Sequence, residues 1–158
     1  WPVLSELGVE SKTGKDGVSL TRREVKPCHL AISTAPYPGF PTDMQSVFAS
    51  ILTIAKGNSV IVENIFENRY KYVSELKRMG AKITVEGRIA VIKGCKKLSG
   101  ATVESTDLRG GAALVVAGLV AKGTTTVNKI GYILRGYEGL DKKLNKLGAK
   151  ITIKEEKE

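Results

Sequence analysis

Four residues of this chain carry groups suited to anion binding and proton transfer: Asp43, Arg69, Arg109 and Arg135. An aspartate is ionised at neutral pH and takes a proton from a hydroxyl when it is held within reach. An arginine is a permanently charged fork that grips phosphate or carboxylate through two parallel hydrogen bonds. The spacing ties the four together. Gly57 and Gly123 each stop a helix-like run and lie 66 residues apart, and the same step carries Asp43 onto Arg109 and Arg69 onto Arg135. If one folding unit repeats at that interval, a carboxylate and three guanidiniums occupy equivalent places in successive units. Equivalent helix starts then converge towards one end of the domain, where the set can hold a doubly charged phosphate beside a proton acceptor.

The elements that position these groups follow from local pattern. TAPYPGFPTDMQ (34–45) uses three of the chain's five prolines. Proline fixes φ near −65° and biases its predecessor away from helix, so the run reads as a stiff, non-repetitive arm. Thr42 with Gln45 three residues on predicts a capping box, which puts Asp43 in the first turn of a buried helix, MQSVFASILTIA. An acid is also simply favoured at a helix N-terminus; the repeat moves the reading of Asp43 to function. STDLRGGAAL (105–114) predicts a second helix start, capped by Thr106, with bare N–H groups and little bulk at Gly110, Gly111 and Ala112. Those small residues suit an anion and equally suit close packing, and the segment leaves both open. IFENRY and ILRGYEG each put an arginine at a strand-to-helix turn. Glu67 and Glu138 lie near enough in sequence to make either arginine half of a surface ion pair, worth under about 1 kcal/mol.

The wider pattern is repetitive. LSELGVES, VSELKRMGAKITVE and LDKKLNKLGAKITIK each read as a helix tail, a glycine stop and an alternating strand, with the glycines at 8, 80 and 148. Strands are predicted over 58–65, 81–86, 88–93, 101–105, 124–130 and 149–154, and helices over 69–79, 108–121 and 136–147. SKTGKDGVSLT and the Glu86-Gly87 pair signal hairpins. The expectation is an α/β (α+β) fold of βαβα units followed by one or two further strands, with helices against mixed sheets. Residues 1–28 read as the tail of one repeat, 29–94 as a second and 95–158 as a third.

Composition narrows the class. The 158 residues carry 25 Lys and Arg against 16 Asp and Glu, a net charge of +9. The cations are scattered and aromatics do not interleave with them, so a phosphate-tracking stripe with stacking platforms is not expected. Two cysteines, Cys28 and Cys95, lie far apart beside a single histidine, which argues against a metal site and for a reducing cytoplasm. The glycines form no Walker or dinucleotide motif, and no cofactor is expected. No apolar run reaches membrane-spanning length. The start at Trp1, directly into helix-like sequence, suggests a piece of a longer chain.

TAPYPGFPTDMQ, IFENR, ATVESTDLRGGAALVVAGL and RGYEGLDKKLNKLGAKI, in this order and spacing, resemble the C-terminal part of the bacterial UDP-N-acetylglucosamine 1-carboxyvinyltransferase family of enolpyruvyl transferases. The resemblance covers nearly the whole chain. It implies two domains of βαβαββ-type repeats about a pseudo-threefold axis, an inside-out α/β barrel, with this chain lacking part of the first repeat of its domain. It implies transfer of the enolpyruvyl group of phosphoenolpyruvate to the 3-hydroxyl of UDP-N-acetylglucosamine in the first committed step of peptidoglycan synthesis. Carried over by motif, Asp43 binds the sugar and acts on its hydroxyl proton, and Ile65 lines the nucleotide-sugar site. Arg69, Arg109 and Arg135 face phosphoenolpyruvate and its phosphate, and Asp107 helps arrange that pocket. The chain departs from the family at Tyr132 and Leu134, where a histidine and an acid are usual before the RGYE arginine. The family's mobile loop with its reactive cysteine belongs to the other domain, the implied partner; Cys28 and Cys95 match neither loop nor setting, so the chain alone is expected to be inactive. The rivals are the shikimate-pathway enolpyruvyl transferase, a basic nucleic-acid-binding module and a purely structural repeat domain.

Overall fold

The computed structural model of the chain describes residues 2–22 and 29–154, which leaves Cys28 outside the described residues. A short helix α1 (Pro2–Glu6) runs through Gly8 into the antiparallel hairpin of β1 (Val9–Gly14) and β2 (Gly17–Arg22). Then come β3 (Ala31–Ser33), α2 (Thr42–Leu52), β4 (Asn58–Val62), α3 (Val73–Arg78) and the hairpin of β5 (Lys82–Glu86) and β6 (Ile89–Lys93). The last stretch holds β7 (Thr102–Glu104), α4 (Leu108–Val120), β8 (Thr126–Asn128), α5 (Gly131–Leu134) and α6 (Leu140–Lys146). The fold is mixed α/β, and no helix among the described residues is long and apolar enough to cross a membrane. Gly8, Gly80 and Gly148 take φ of 82°, 91° and 98° at the ends of their helices, the left-handed turn that glycine adopts without a Cβ clash.

The larger sheet has the order β3-β4-β6-β5, with β3 parallel to β4 and the other pairs antiparallel. Residues alternate along these strands, so Ile32, Ile61, Ile83, Ala90 and Ile92 point into one core with Phe48 and Leu52 of α2 and Leu76 of α3. Each wholly buried Leu or Ile there contributes on the order of 1.5–3 kcal/mol relative to exposure. β7 and β8 form a separate parallel pair.

Several elements differ from the sequence reading for physical reasons. The helix expected over 69–79 is only α3, because Tyr70 and Tyr72 turn inwards beforehand and bury their rings. The helix expected over 136–147 is interrupted: Gly139 takes a left-handed φ of 55°, and α6 begins only after it. Residues 149–154 form no strand. In the larger sheet the edge strand β5 joins through its hairpin partner β6, which pairs with β4. Among the described residues nothing stands beside β8 in that place, so 149–154 has no ladder to join. The backbone of Ile151 pairs instead with the side chain of Asn145, whose Oδ1 accepts its N–H and whose Nδ2 donates to its carbonyl, both at 2.8 Å.

Candidate functional site

The proline-rich run closes on itself. Ala35 donates to the Phe40 carbonyl and Gly39 to that of Pro36, and the Phe40 ring packs edge-on against Phe48 at 5.1 Å. This loop delivers the chain into α2 with Pro41 as the N-cap and no side-chain cap. The expected capping box is therefore absent. Thr42 Oγ1 donates to Glu63 Oε2 at 2.9 Å, and Gln45 turns inwards, its Oε1 accepting from the Tyr72 hydroxyl at 3.1 Å. Both side chains serve tertiary bonds that outcompete the local cap. Asp43 remains in the first turn, as expected.

Asp107, not Thr106, caps α4: its Oδ1 accepts the Gly110 N–H at 2.7 Å. The first turn's backbone is thus already turned to a carboxylate of the chain itself. Close packing explains the glycines. A Cβ on Gly111 would lie 2.2 Å from Ser105 Oγ and 2.7 Å from Ile133, and one on Gly110 would lie 3.0 Å from Tyr72. Ser46 and Ser50 of α2 donate to the carbonyls of Arg109 and Ala113 at 3.0 and 2.8 Å. A step of four along one helix matches a step of four along the other, so α2 and α4 run parallel and present their N-termini at the same end.

That arrangement brings Asp43 and Arg109 together across the 66-residue interval: Arg109 Nη2 donates to Asp43 Oδ2 at 2.7 Å. Arg69, from the turn before α3, donates to Asp43 Oδ1 at 2.8 Å. Both carboxylate oxygens are clamped, while the Asp43 side chain stays 52% exposed. The bonded Arg109 guanidinium, joined by Arg69, holds the Asp43 carboxyl below its ordinary value against an opposing effect of burial, and the same bond keeps Arg109 more firmly protonated. Glu67 pairs with Arg88 rather than Arg69.

Of the sequence candidates, then, the structure joins Asp43, Arg69 and Arg109. Arg135 is exposed and lies over the Tyr132 ring, 5.2 Å from its centre, with no bond to that cluster among the described residues. Its segment reaches the cluster through Tyr137, whose hydroxyl accepts from Arg109 Nη1 at 2.8 Å. Asp107 acts on its own helix, and Ile65 is 39% exposed with its N–H on Glu63.

Glu63 was not legible from sequence. It follows β4 directly and is wholly buried, and its carboxylate accepts from four donors: Thr34 Oγ1, Thr42 Oγ1 and the N–H groups of Ile65 and Phe66. One acid thereby fixes both the start of α2, which carries Asp43, and the loop leading to Arg69. Glu63→Ala strands those donors and is expected to lower stability by about 3 kcal/mol or more, read from urea unfolding of the complete protein. Unchanged stability would mean that the donors find other partners.

The EPSP synthase (3-phosphoshikimate 1-carboxyvinyltransferase) family model matches residues 2–144. A UDP-N-acetylglucosamine 1-carboxyvinyltransferase of Buchnera aphidicola is 55% identical over 94% of this chain and 36% of its own length. UDP-N-acetylglucosamine 1-carboxyvinyltransferase 3 of Caldanaerobacter subterraneus is 57% identical over 94% of this chain and 35% of its own. The chain therefore spans about a third of the length of these relatives. Among solved structures, the enolpyruvyl transferase NikO from Streptomyces tendae superposes with a TM-score of 0.83 at 29% identity, over 94% of this chain and 34% of that one.

Proposed function

Because the chain belongs to the EPSP synthase (3-phosphoshikimate 1-carboxyvinyltransferase) family, we propose that it is one portion of an enzyme that moves an enolpyruvyl group from phosphoenolpyruvate to the 3-hydroxyl of UDP-N-acetylglucosamine, in the cytoplasm and for peptidoglycan synthesis. The observation that carries this reading is the Asp43 carboxylate held between Arg69 and Arg109 at the paired starts of two parallel helices. In this reading residues 29–94 and 95–158 are two copies of one unit and 1–28 the tail of another, in a domain that works opposite a second lobe of the same protein. The names carried by the relatives support the choice of UDP-N-acetylglucosamine over a shikimate acceptor.

Chemically, Asp43 binds the sugar and takes the proton of its attacking hydroxyl, while Arg69, Arg109 and Arg135 hold phosphoenolpyruvate and stabilise its departing phosphate. The hydroxyl oxygen bonds to the phosphate-bearing carbon while a proton adds to the neighbouring methylene carbon, making it a methyl group; elimination then takes a proton from that methyl group and breaks the bond to the phosphate oxygen, which restores the double bond. Overall the hydroxyl proton replaces the enolpyruvyl group on phosphate. Ile65 lines the sugar side, and Asp107 keeps Arg109 in register by capping α4. No cofactor or metal has a part in this scheme.

The clamp also defines the exchange that starts the reaction. An arriving phosphate competes with Asp43 for the two guanidiniums, and the carboxylate it displaces becomes the stronger base just as the hydroxyl is in place. The test is phosphate release by the complete protein given phosphoenolpyruvate with either UDP-N-acetylglucosamine or shikimate 3-phosphate. Release with the nucleotide sugar alone is expected. Release only with shikimate 3-phosphate would assign the other branch of the family, and release with neither would refute the proposal.

A further inference from the structure

We infer that Tyr132 and Phe66 are positioning residues that hold the arginines of this site ready for an anion, each offering its ring face to the guanidinium three residues further on. The inference rests on the anion-binding reading given above. Arg69 lies 4.6 Å from the centre of the Phe66 ring and Arg135 lies 5.2 Å from the centre of the Tyr132 ring. Both are within the range of cation–π attraction. The two pairs are related by the interval that separates Asp43 from Arg109, 66 residues, so the same device occurs at corresponding places along the chain. Arg109 has a ring footing as well, over Tyr137 at 5.4 Å, supplemented by the Tyr137 hydroxyl.

A ring suits this task better than a carboxylate. An acid would neutralise the guanidinium and occupy its donors, whereas a ring holds the plane by one face and leaves the N–H edges turned outwards with the charge intact. A long side chain so held has given up much of its rotamer freedom before the ligand arrives. The two pairs differ in one respect. Arg69 has Asp43 as a second anchor, but Arg135 makes no ion pair among the described residues, so Tyr132 matters more to Arg135 than Phe66 does to Arg69. Tyr132 is also 41% exposed, so replacing it leaves the core alone.

The experiment uses the complete protein with Tyr132→Leu, Tyr132→Phe and Phe66→Leu. It reads the ring-current shift on the Arg135 side-chain protons, the dissociation constant of inorganic phosphate, and the separate KM values for phosphoenolpyruvate and UDP-N-acetylglucosamine. Tyr132→Leu should abolish the shift and weaken phosphate, and raise the phosphoenolpyruvate KM, roughly two- to fivefold. The nucleotide-sugar KM should stay unchanged. Tyr132→Phe should retain parental values, and Phe66→Leu should fall between. Loss of affinity in Tyr132→Phe equal to that in Tyr132→Leu would overturn the inference, because the hydroxyl would then be the group at work. So would loss of the ring-current shift with phosphate affinity unchanged, or a parental protein that shows no such shift. A parental protein that shows the shift but binds no phosphate would refute the anion-binding reading itself, and with it the purpose assigned to the rings.

Discussion

Asp43→Asn in the complete protein is expected to lower turnover about a hundred- to ten-thousand-fold, the contribution of a positioned proton acceptor. The substitution keeps shape and one acceptor oxygen, so either Arg69 or Arg109 can still donate to it. It removes the charge and the capacity to take the hydroxyl proton. Stability is expected to move little. The Asp43 side chain is 52% exposed, and ion pairs so open to solvent are worth under about 1 kcal/mol. A large loss of turnover beside a nearly unchanged unfolding midpoint separates a chemical role from a structural one. On the proposed reading Asp43 meets one hydroxyl of UDP-N-acetylglucosamine, so binding of that sugar, measured calorimetrically, should weaken modestly. Turnover within a few-fold of the parent would remove Asp43 from the chemistry and return it to the role of an acid that favours the start of α2.

The Asp43–Arg109 meeting was legible because the glycine stops at 57 and 123 lie one interval apart and the same interval separates the two residues; the helix starts at Thr42 and Leu108 then fall on it as well. Two parallel helices with bonded starts turn such an interval into a spatial coincidence. The failures lie where a competing partner comes from far along the chain. Thr42 and Gln45 fit a capping box locally, but Glu63 and Tyr72 claim their side chains. Gly110 and Gly111 were equally consistent with an anion and with packing, and only the approach of Ser105, Ile133 and Tyr72 decides between them. Glu63 reads as an ordinary acid at the end of a strand. Its burial depends on donors from Thr34 and Thr42, which local pattern does not bring to it. Residues 149–154 alternate as a strand should, yet a strand exists only where a neighbour offers a ladder.

Arg109→Ala is expected to lower kcat/KM for phosphoenolpyruvate about a hundred- to a thousand-fold, the cost of removing one fixed donor from a developing anion. Arg109→Lys should recover only part of this. A lysine supplies the charge but not the fork that now spans the Asp43 carboxylate and the Tyr137 hydroxyl. The pH dependence gives a second, independent reading. Arg109 is the largest cause holding the Asp43 carboxyl below its ordinary value, so its removal moves that carboxyl upwards, with Arg69 still restraining it. The sign follows from linkage. A carboxyl depressed in the folded state contributes stability that is present above its unfolded pKa and is lost as pH falls through the folded value. The variant should therefore be slightly less stable than the parent at neutral pH, and the gap should close in acid. Its acid limb of activity should lie at higher pH than the parent's, because the proton acceptor fills sooner as pH falls. Side-chain NMR titration of Asp43 in both proteins measures the displacement directly. An Asp43 titration that does not move when Arg109 is lost would mean that the clamp between the two helix starts does not form in solution.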